Sequence, residues 1–368
     1  MKIRKIIKDN LVFIPFVLIL LILFLFYPEK IKYSPHLVDW KTIAVLSGLI
    51  VITTGIKESS LLSFSVKKML NKIVTEKTLA VVVISVSAFL SMFLTNDIAL
   101  FIMIPLTLSF QKFIKNDLKK IIVFQALAVN VGSTLTPVGN PQNIFLWHKW
   151  DISFVMFTMR MFPVFLVSFV VLIAFVFCAF PSKRLSVVNS DEKEQYDLGM
   201  FYFSLILLVG FIVSIEFGVF YYGLILVLTL YLIFFRKVLK KADWGLILLF
   251  IIIFVDFGIL GQSPQIYKFV SRLNLNTDSN AFLGGLIMSQ LVSNVPATIF
   301  ISRFSSNWRA IAYGVNIGGN GIVIASLANI IAIRLAKRKG LWGEFHKYSI
   351  PFLLFSAAAV YLLFFVHI

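Results

Sequence analysis

Apolar runs long enough to cross a bilayer recur along this chain, and no other feature constrains its fold as much. A hydrocarbon core of about 30 Å takes about 20 helical residues. Runs of that order stand at 11–27, 42–57, 121–147, 158–180, 200–216, 219–235, 244–260, 309–334 and 349–367. Two more, 78–110 and 281–302, are interrupted at their middles by polar residues. With 59% hydrophobic and 14% charged residues among 368, the chain lacks the polar surface that a water-facing body needs. Backbone polar groups in lipid must be paired within the segment, so the runs predict an all-α polytopic membrane protein.

Charge orients it. The net charge is +17, and the basic residues sit in short segments between apolar runs. That is the pattern that sets membrane orientation, not one that points to a nucleic-acid partner. If each interrupted run is a re-entrant hairpin, segments 1–10, 57–77, 111–120, 181–198, 236–241 and 334–348 share one side and hold 25 Lys and Arg. The opposite segments, 28–41, 147–157, 261–280 and 302–309, hold 8. The positive-inside rule then predicts nine crossings plus two hairpins in the cytoplasmic membrane, with the N-terminus inside. Lys2, Arg4, Lys5 and Lys8 precede the first run as they would in a signal peptide, but the run is long. Tyr27-Pro28-Glu29-Lys30 offers no small-residue cleavage site, so the first span is read as retained.

An internal repeat runs through the chain. Asp39-Trp40 and Asp243-Trp244 each open a span, 204 residues apart. Ser91–Ala99 aligns with Ser289–Ala297 at an offset of 198, and Val129-Asn130-Val131-Gly132 aligns with Val315-Asn316-Ile317-Gly318 at 186. Asn143-Ile144 falls on Asn329-Ile330 at that same offset. In the topology above the halves are inverted copies: 1–180 is the first repeat, 181–216 a cytoplasmic loop and connector span, and 217–368 the second. Inverted repeats carrying interrupted helices are the architecture of secondary transporters.

Four places break the helical pattern. The hairpins turn at Thr95-Asn96-Asp97 and at Ser293-Asn294, the latter followed by Pro296 and Thr298. The run 121–147 carries Asn130, Gly132, Ser133 and Thr136, then Pro137, Gly139, Asn140, Gln142 and Asn143; two prolines and a glycine within five residues do not continue a helix. Its mate, 309–334, carries Asn316, Gly318, Gly319, Asn320, Ser326 and Asn329. Breaks of this kind expose backbone N–H groups at half-helix starts, which favour anions. They also expose carbonyl and side-chain oxygens that suit a hard cation such as sodium. One substrate site between two cation sites is the expectation. Small and polar residues in membrane helices also serve close packing.

Two acids lie within apolar segments, where an ionisable group is costly and a functional candidate. Asp97 suits either ion coupling or an N-cap of the second hairpin arm. Asp256 has Ile52 at the equivalent position, and suits either coupling or an internal polar contact. His36, His148, His346 and His367 show no ligand spacing, so neither a resident metal nor a cofactor is expected beyond transported sodium. The single Cys178 cannot form an intrachain disulfide.

The stretches FLTNDIALFIMIPL, GSTLTPVGNPQNIFLW, SNVPATIF and GVNIGGNGIVIASLANIIA resemble the ion transporter superfamily. It includes divalent anion:sodium symporters, citrate–metal transporters, arsenite permeases and a sodium/proton antiporter branch. The resemblance implies a scaffold plus a transport domain, elevator-type movement and a homodimer. It also implies that Thr95-Asn96-Asp97 and Ser293-Asn294-Val295 stand where the dicarboxylate branch has Ser-Asn-Thr; the third position departs in both copies. The expected function is secondary active transport of a small anion coupled to sodium or protons, without enzymatic activity. An arsenite-type exporter or sodium/proton antiporter is the alternative, ahead of an intramembrane enzyme using Asp97 and Asp256 or a passive channel.

Overall fold

A computed structural model describes residues 13–70, 75–109, 118–184 and 195–366. The basic segment 1–10 and most of 111–120 and 181–198 lie outside the described residues, as does His367. Within them the chain is all-helical, with one isolated bridge between Thr75 and Arg184.

The first half runs α1 (Phe13–Phe26), α2 (Trp40–Glu58), α3 (Leu61–Leu70), α4 (Glu76–Phe93), α5 (Asn96–Ser109), α6 (Lys119–Ser133), α7 (Pro141–Lys149) and α8 (Phe154–Ala179). The rest runs α9 (Leu198–Glu216), α10 (Phe220–Phe234), α11 (Arg236–Lys241), α12 (Trp244–Leu260), α13 (Pro264–Ser271), α14 (Asp278–Val292), α15 (Asn294–Ile301), α16 (Trp308–Gly318), α17 (Leu327–Ala336) and α18 (Leu341–Phe364).

Helix starts follow from capping chemistry. Asp39 accepts from the N–H groups of Lys41 and Thr42, both at 3.1 Å, and Asp243 accepts from Leu246 N at 3.1 Å. The two Asp-Trp pairs therefore open α2 and α12, each carboxylate satisfying N–H groups that a helix start leaves without partners. Thr75 and Thr277 cap the hairpin arms α4 and α14 in the same way.

Five helices are long and apolar enough to cross a membrane by length and composition: α2, α4, α8, α9 and α18. The bent pair α12 and α13, turned by 81° at Gly261–Ser263, makes a sixth if counted as one span. Of the remaining apolar runs, 121–147 and 309–334 are broken where Gly, Pro and Asn interrupt them, whereas α10 is a continuous helix of 15 residues and α1 has 14 described residues. Helix α13 in the segment expected to be a loop is a further difference: Tyr267 and Phe269 are exposed on it.

Helix α2 is buried along most of its length, against α9 and α10. Helix α4 packs on α6 and α14 on α16; α5 reaches α17 and α15 reaches α7, so each second hairpin arm touches the broken helix of the other half. Large apolar side chains exposed on α8, α9 and α10, among them Val170, Phe177, Ile206 and Ile225, form a surface suited to lipid.

Candidate functional site

The two broken helices are tied to each other by buried amides, and the ties repeat at one spacing. Asn130 Nδ2 donates to Asn329 Oδ1 at 2.8 Å, and Asn316 Nδ2 donates to Asn143 Oδ1 at 2.8 Å. Asn130 and Asn143 are the residues 186 positions before Asn316 and Asn329, so the second bond is the first with the halves exchanged. Ser326 Oγ donates to Asn130 Oδ1 at 3.0 Å and Asn140 Nδ2 to Asn316 Oδ1 at 2.9 Å; Asn140 and Ser326 are again 186 apart. Asn143 Nδ2 reaches the carbonyls of Ser133 and Thr136, both at 3.1 Å. Asn329 Nδ2 reaches those of Gly319 and Ile322, at 2.8 and 3.4 Å. Single 3-10 turns at Pro137–Gly139 and Val323–Ala325 bridge the two breaks at matching positions.

Each broken helix lies close against the first arm of its own hairpin, and glycine permits the approach. A Cβ on Gly132 would stand 2.0 Å from Ala88 O and 2.4 Å from Ser91 Oγ. On Gly318 it would meet Ser289 Cβ at 2.8 Å and Leu286 O at 3.0 Å. Ala88 and Ser91 are the 198-offset counterparts of Leu286 and Ser289.

The hairpin tips are buried rather than displayed as loops: Thr95, Asn96, Asp97 and Asn294 are each at most 6% exposed. The first tip is tied to its break by Thr136 Oγ1 donating to Met92 O. The second is tied by Gln290, whose Nε2 donates to Gly318 O at 2.7 Å and whose Oε1 accepts from Ile322 N at 3.0 Å. Asn294 stands over the second break, since a Cβ on Gly319 would lie 2.9 Å from its Nδ2. Thr298 Oγ1, one turn on, is spent on Asn294 O at 2.6 Å.

The structure corrects the expectation that all four half-helix starts offer free N–H groups. The start of α7 is capped from within: Asn140 Oδ1 accepts from Asn143 N at 2.9 Å. At the start of α17, Ser326 Oγ accepts from Ala328 N at 3.3 Å. Asn and Ser are strong N-cap residues, so they consume the donors that sequence reasoning assigned to an anion. Helix α15 keeps an N-terminus without a side-chain cap, entered through Ser293 at φ 77° and ψ 155°.

Most of the amides named from sequence thus hold the breaks together. Among the site residues of the hairpin tips and the breaks, the buried side-chain oxygens without a hydrogen-bond partner in the described residues are Thr95 Oγ1, Asp97 Oδ1, Gln142 Oε1 and Asn320 Oδ1. Asp256, on α12, is fully buried with neither carboxylate oxygen hydrogen-bonded among the described residues, so no polar contact described there accounts for it. Its helix packs against both half-helices: Phe254 meets Phe145 of α7 at 5.6 Å, and Phe257 meets Phe300 of α15 at 6.0 Å.

Gln290 and Gln125 stand outside the residues that the sequence motifs mark. The repeat does not signal Gln290, since its counterpart Met92 supplies only a backbone carbonyl. Gln125, fully buried in α6 with Oε1 unpartnered among the described residues, is marked only as a polar residue amid an apolar run.

Helices broken at buried, amide-lined elbows inside an apolar all-α body define a membrane transporter. A profile described as "Citrate transporter" matches residues 6–307, and this chain belongs to that family. It is 35% identical to the inner membrane protein YbiR of Escherichia coli over 92% of this chain and 91% of that protein. It is also 35% identical to the uncharacterized transporter MJ0456 of Methanocaldococcus jannaschii, over 92% of each. The family is one of transporters rather than enzymes, which removes the paired-acid hydrolase from consideration.

Proposed function

We propose that this chain is a secondary active transporter moving a small anion across the cytoplasmic membrane, driven by a sodium or proton gradient. The observation that carries the reading is the set of four unpartnered, buried oxygens of Thr95, Asp97, Gln142 and Asn320, gathered on one hairpin tip and the two breaks. Oxygen donors of this kind suit a hard cation. The uncapped start of α15 beside Asn294 suits the anion through its free N–H groups and helix dipole.

The position-matched bonds between Asn130, Asn143, Asn316 and Asn329 support two inverted repeats meeting at the bilayer midplane. The buried tips support re-entrant hairpins over nine crossings, with the N-terminus inside. The hairpins and broken helices then move together as an elevator against a scaffold that includes α9 and α10, and the protein works as a homodimer. A second reading, sodium/proton antiport or arsenite-type export, is favoured only by Asp97, which stands where the dicarboxylate branch has threonine.

Uptake into liposomes by purified protein tests this, with a panel of anions that starts from citrate. Gradient-dependent uptake is expected for one of them, and Asn96→Ala and Asn294→Ala are each expected to abolish it while leaving the fold intact. Wild-type uptake by both variants would refute the site. Sodium or proton exchange without any anion would favour the second reading.

A further inference from the structure

A cavity of about 310 Å³ opens where residues 36–39, the C-terminal end of α7 and the turn after α15 meet. Its apolar floor includes Phe145 and Phe254, and two cations, Lys149 and Arg303, stand on its wall. Both are held in place. Lys149 Nζ donates to Ser302 Oγ at 3.1 Å and lies 5.3 Å from the Trp150 ring. Arg303 runs along two glycines at the C-terminal end of α12 and its cap: a Cβ on Gly261 would stand 2.6 Å from its Cδ, and one on Gly258 3.3 Å from its Nη2. A side chain at either position would push the guanidinium away from the cavity.

The two cations lie within electrostatic range of each other, and Asp39 on the same wall lies in range of Lys149 and offsets part of its charge. One carboxylate against two cations leaves the wall net positive, and the Asp39 oxygens are also engaged in capping α2 and accepting from Thr42 Oγ1 at 3.0 Å. The Arg303 guanidinium has no hydrogen-bond or ion-pair partner among the described residues. Positive charge at helix C-termini offsets the helix dipole, but that would not require two pinned cations to converge on one concavity. A concave, apolar-floored wall focuses their field outward onto a solute. The fork of Arg beside the point charge of Lys matches an oxyanion that presents several oxygens.

We infer that Lys149 and Arg303 form a second anion site, an antechamber that binds small multivalent oxyanions. Its volume is at the small end of ligand pockets. Asn143 and Lys149 lie six residues apart on α7, so the antechamber stands about 9 Å along that helix from the amide-tied breaks. An anion held there waits less than two helical turns along α7 from the site proposed for transport.

Titration of the full-length protein with sodium sulfate at constant ionic strength, in phosphatidylcholine nanodiscs, tests this by calorimetry. Saturable binding is expected. Lys149→Gln and Arg303→Gln should each weaken it about tenfold or more, the double variant should remove it, and Lys149→Arg should restore most of it. Unliganded melting temperatures serve as the folding control. Sulfate affinity that falls when phosphatidylglycerol replaces phosphatidylcholine identifies a lipid headgroup as the natural occupant; unchanged affinity identifies a soluble anion; both retain the site. Sulfate binding by a folded double variant equal to that of the wild type would overturn the inference, as would the absence of saturable binding to the wild type in both lipids. Because binding is read directly, failure here leaves the transport reading standing, and failed uptake leaves the antechamber standing.

Discussion

Replacing Asn143 with alanine tests the cross-tie at its most connected residue. The side chain is fully buried: its two amide protons are shared among the carbonyls of Ser133, Thr134 and Thr136, and its Oδ1 accepts from Asn316 Nδ2. Side-chain hydrogen bonds between membrane helices average about 0.6 kcal/mol and reach about 1.7 kcal/mol. Two donated and one accepted, with one amide donor and several carbonyls losing a partner, come to about 2 kcal/mol. The share belonging to the Asn143–Asn316 pair is smaller. Asn316 Nδ2 keeps Ala312 O at 2.8 Å, so the coupling energy in a double-mutant cycle of Asn143→Ala and Asn316→Ala should be about 1 kcal/mol. Reversible unfolding in SDS mixed micelles measures all three variants. Strictly additive losses would refute the reasoning, since residues that share no interaction do not couple.

Gly132→Ala should prevent folding or cost well over about 3 kcal/mol, because the methyl would strike backbone at 2.0 Å. Gly318→Ala, whose neighbours stand at 2.8–3.0 Å, should be the milder of the two, and expression with size-exclusion profiles ranks them. Ser293→Gly should raise stability by about 1 kcal/mol in the same micelle assay, because φ 77° with ψ 155° is a conformation that only glycine adopts without strain. Asp256→Val should stabilise the protein by about 1–3 kcal/mol, as it removes two unpartnered buried oxygens. The same variant should uncouple solute flux from the driving gradient in liposomes; coupled flux in Asp256→Val would strip that acid of its coupling role. Tyr231→Phe should cost about 1 kcal/mol, the worth of its buried 2.7 Å bond to Ser204 Oγ.

The legible part of the site was the breaks. Pro137, Gly139 and Pro141 announce the first and Gly318-Gly319 with Gly321 the second, because backbone chemistry alone forbids a continuous helix there. The illegible part was what the side chains do once folded. Asn140 and Ser326, named from the breaks as site residues, cap α7 and α17. Asn143 and Asn329, named likewise, hold carbonyls of their own breaks. Lys149 and Arg303 read as ordinary boundary charges, yet two glycines at the end of a helix more than 40 residues earlier in the chain seat the arginine. A residue type shows which bonds a side chain is able to make, and not which partner reaches it first.

The sequence by itself determined that the chain is a helical membrane protein, where two of its apolar runs break, and that two distant stretches share one pattern. Those are properties of local hydropathy and backbone chemistry, written residue by residue. Only the tertiary structure decided that the shared pattern closes on itself, with Asn130 bonding the counterpart of Asn143 and Asn316 bonding Asn143, and which oxygens this leaves free. Hydrogen bonds between segments nearly 200 residues apart depend on packing, and no local signal encodes which donors that packing will already have used.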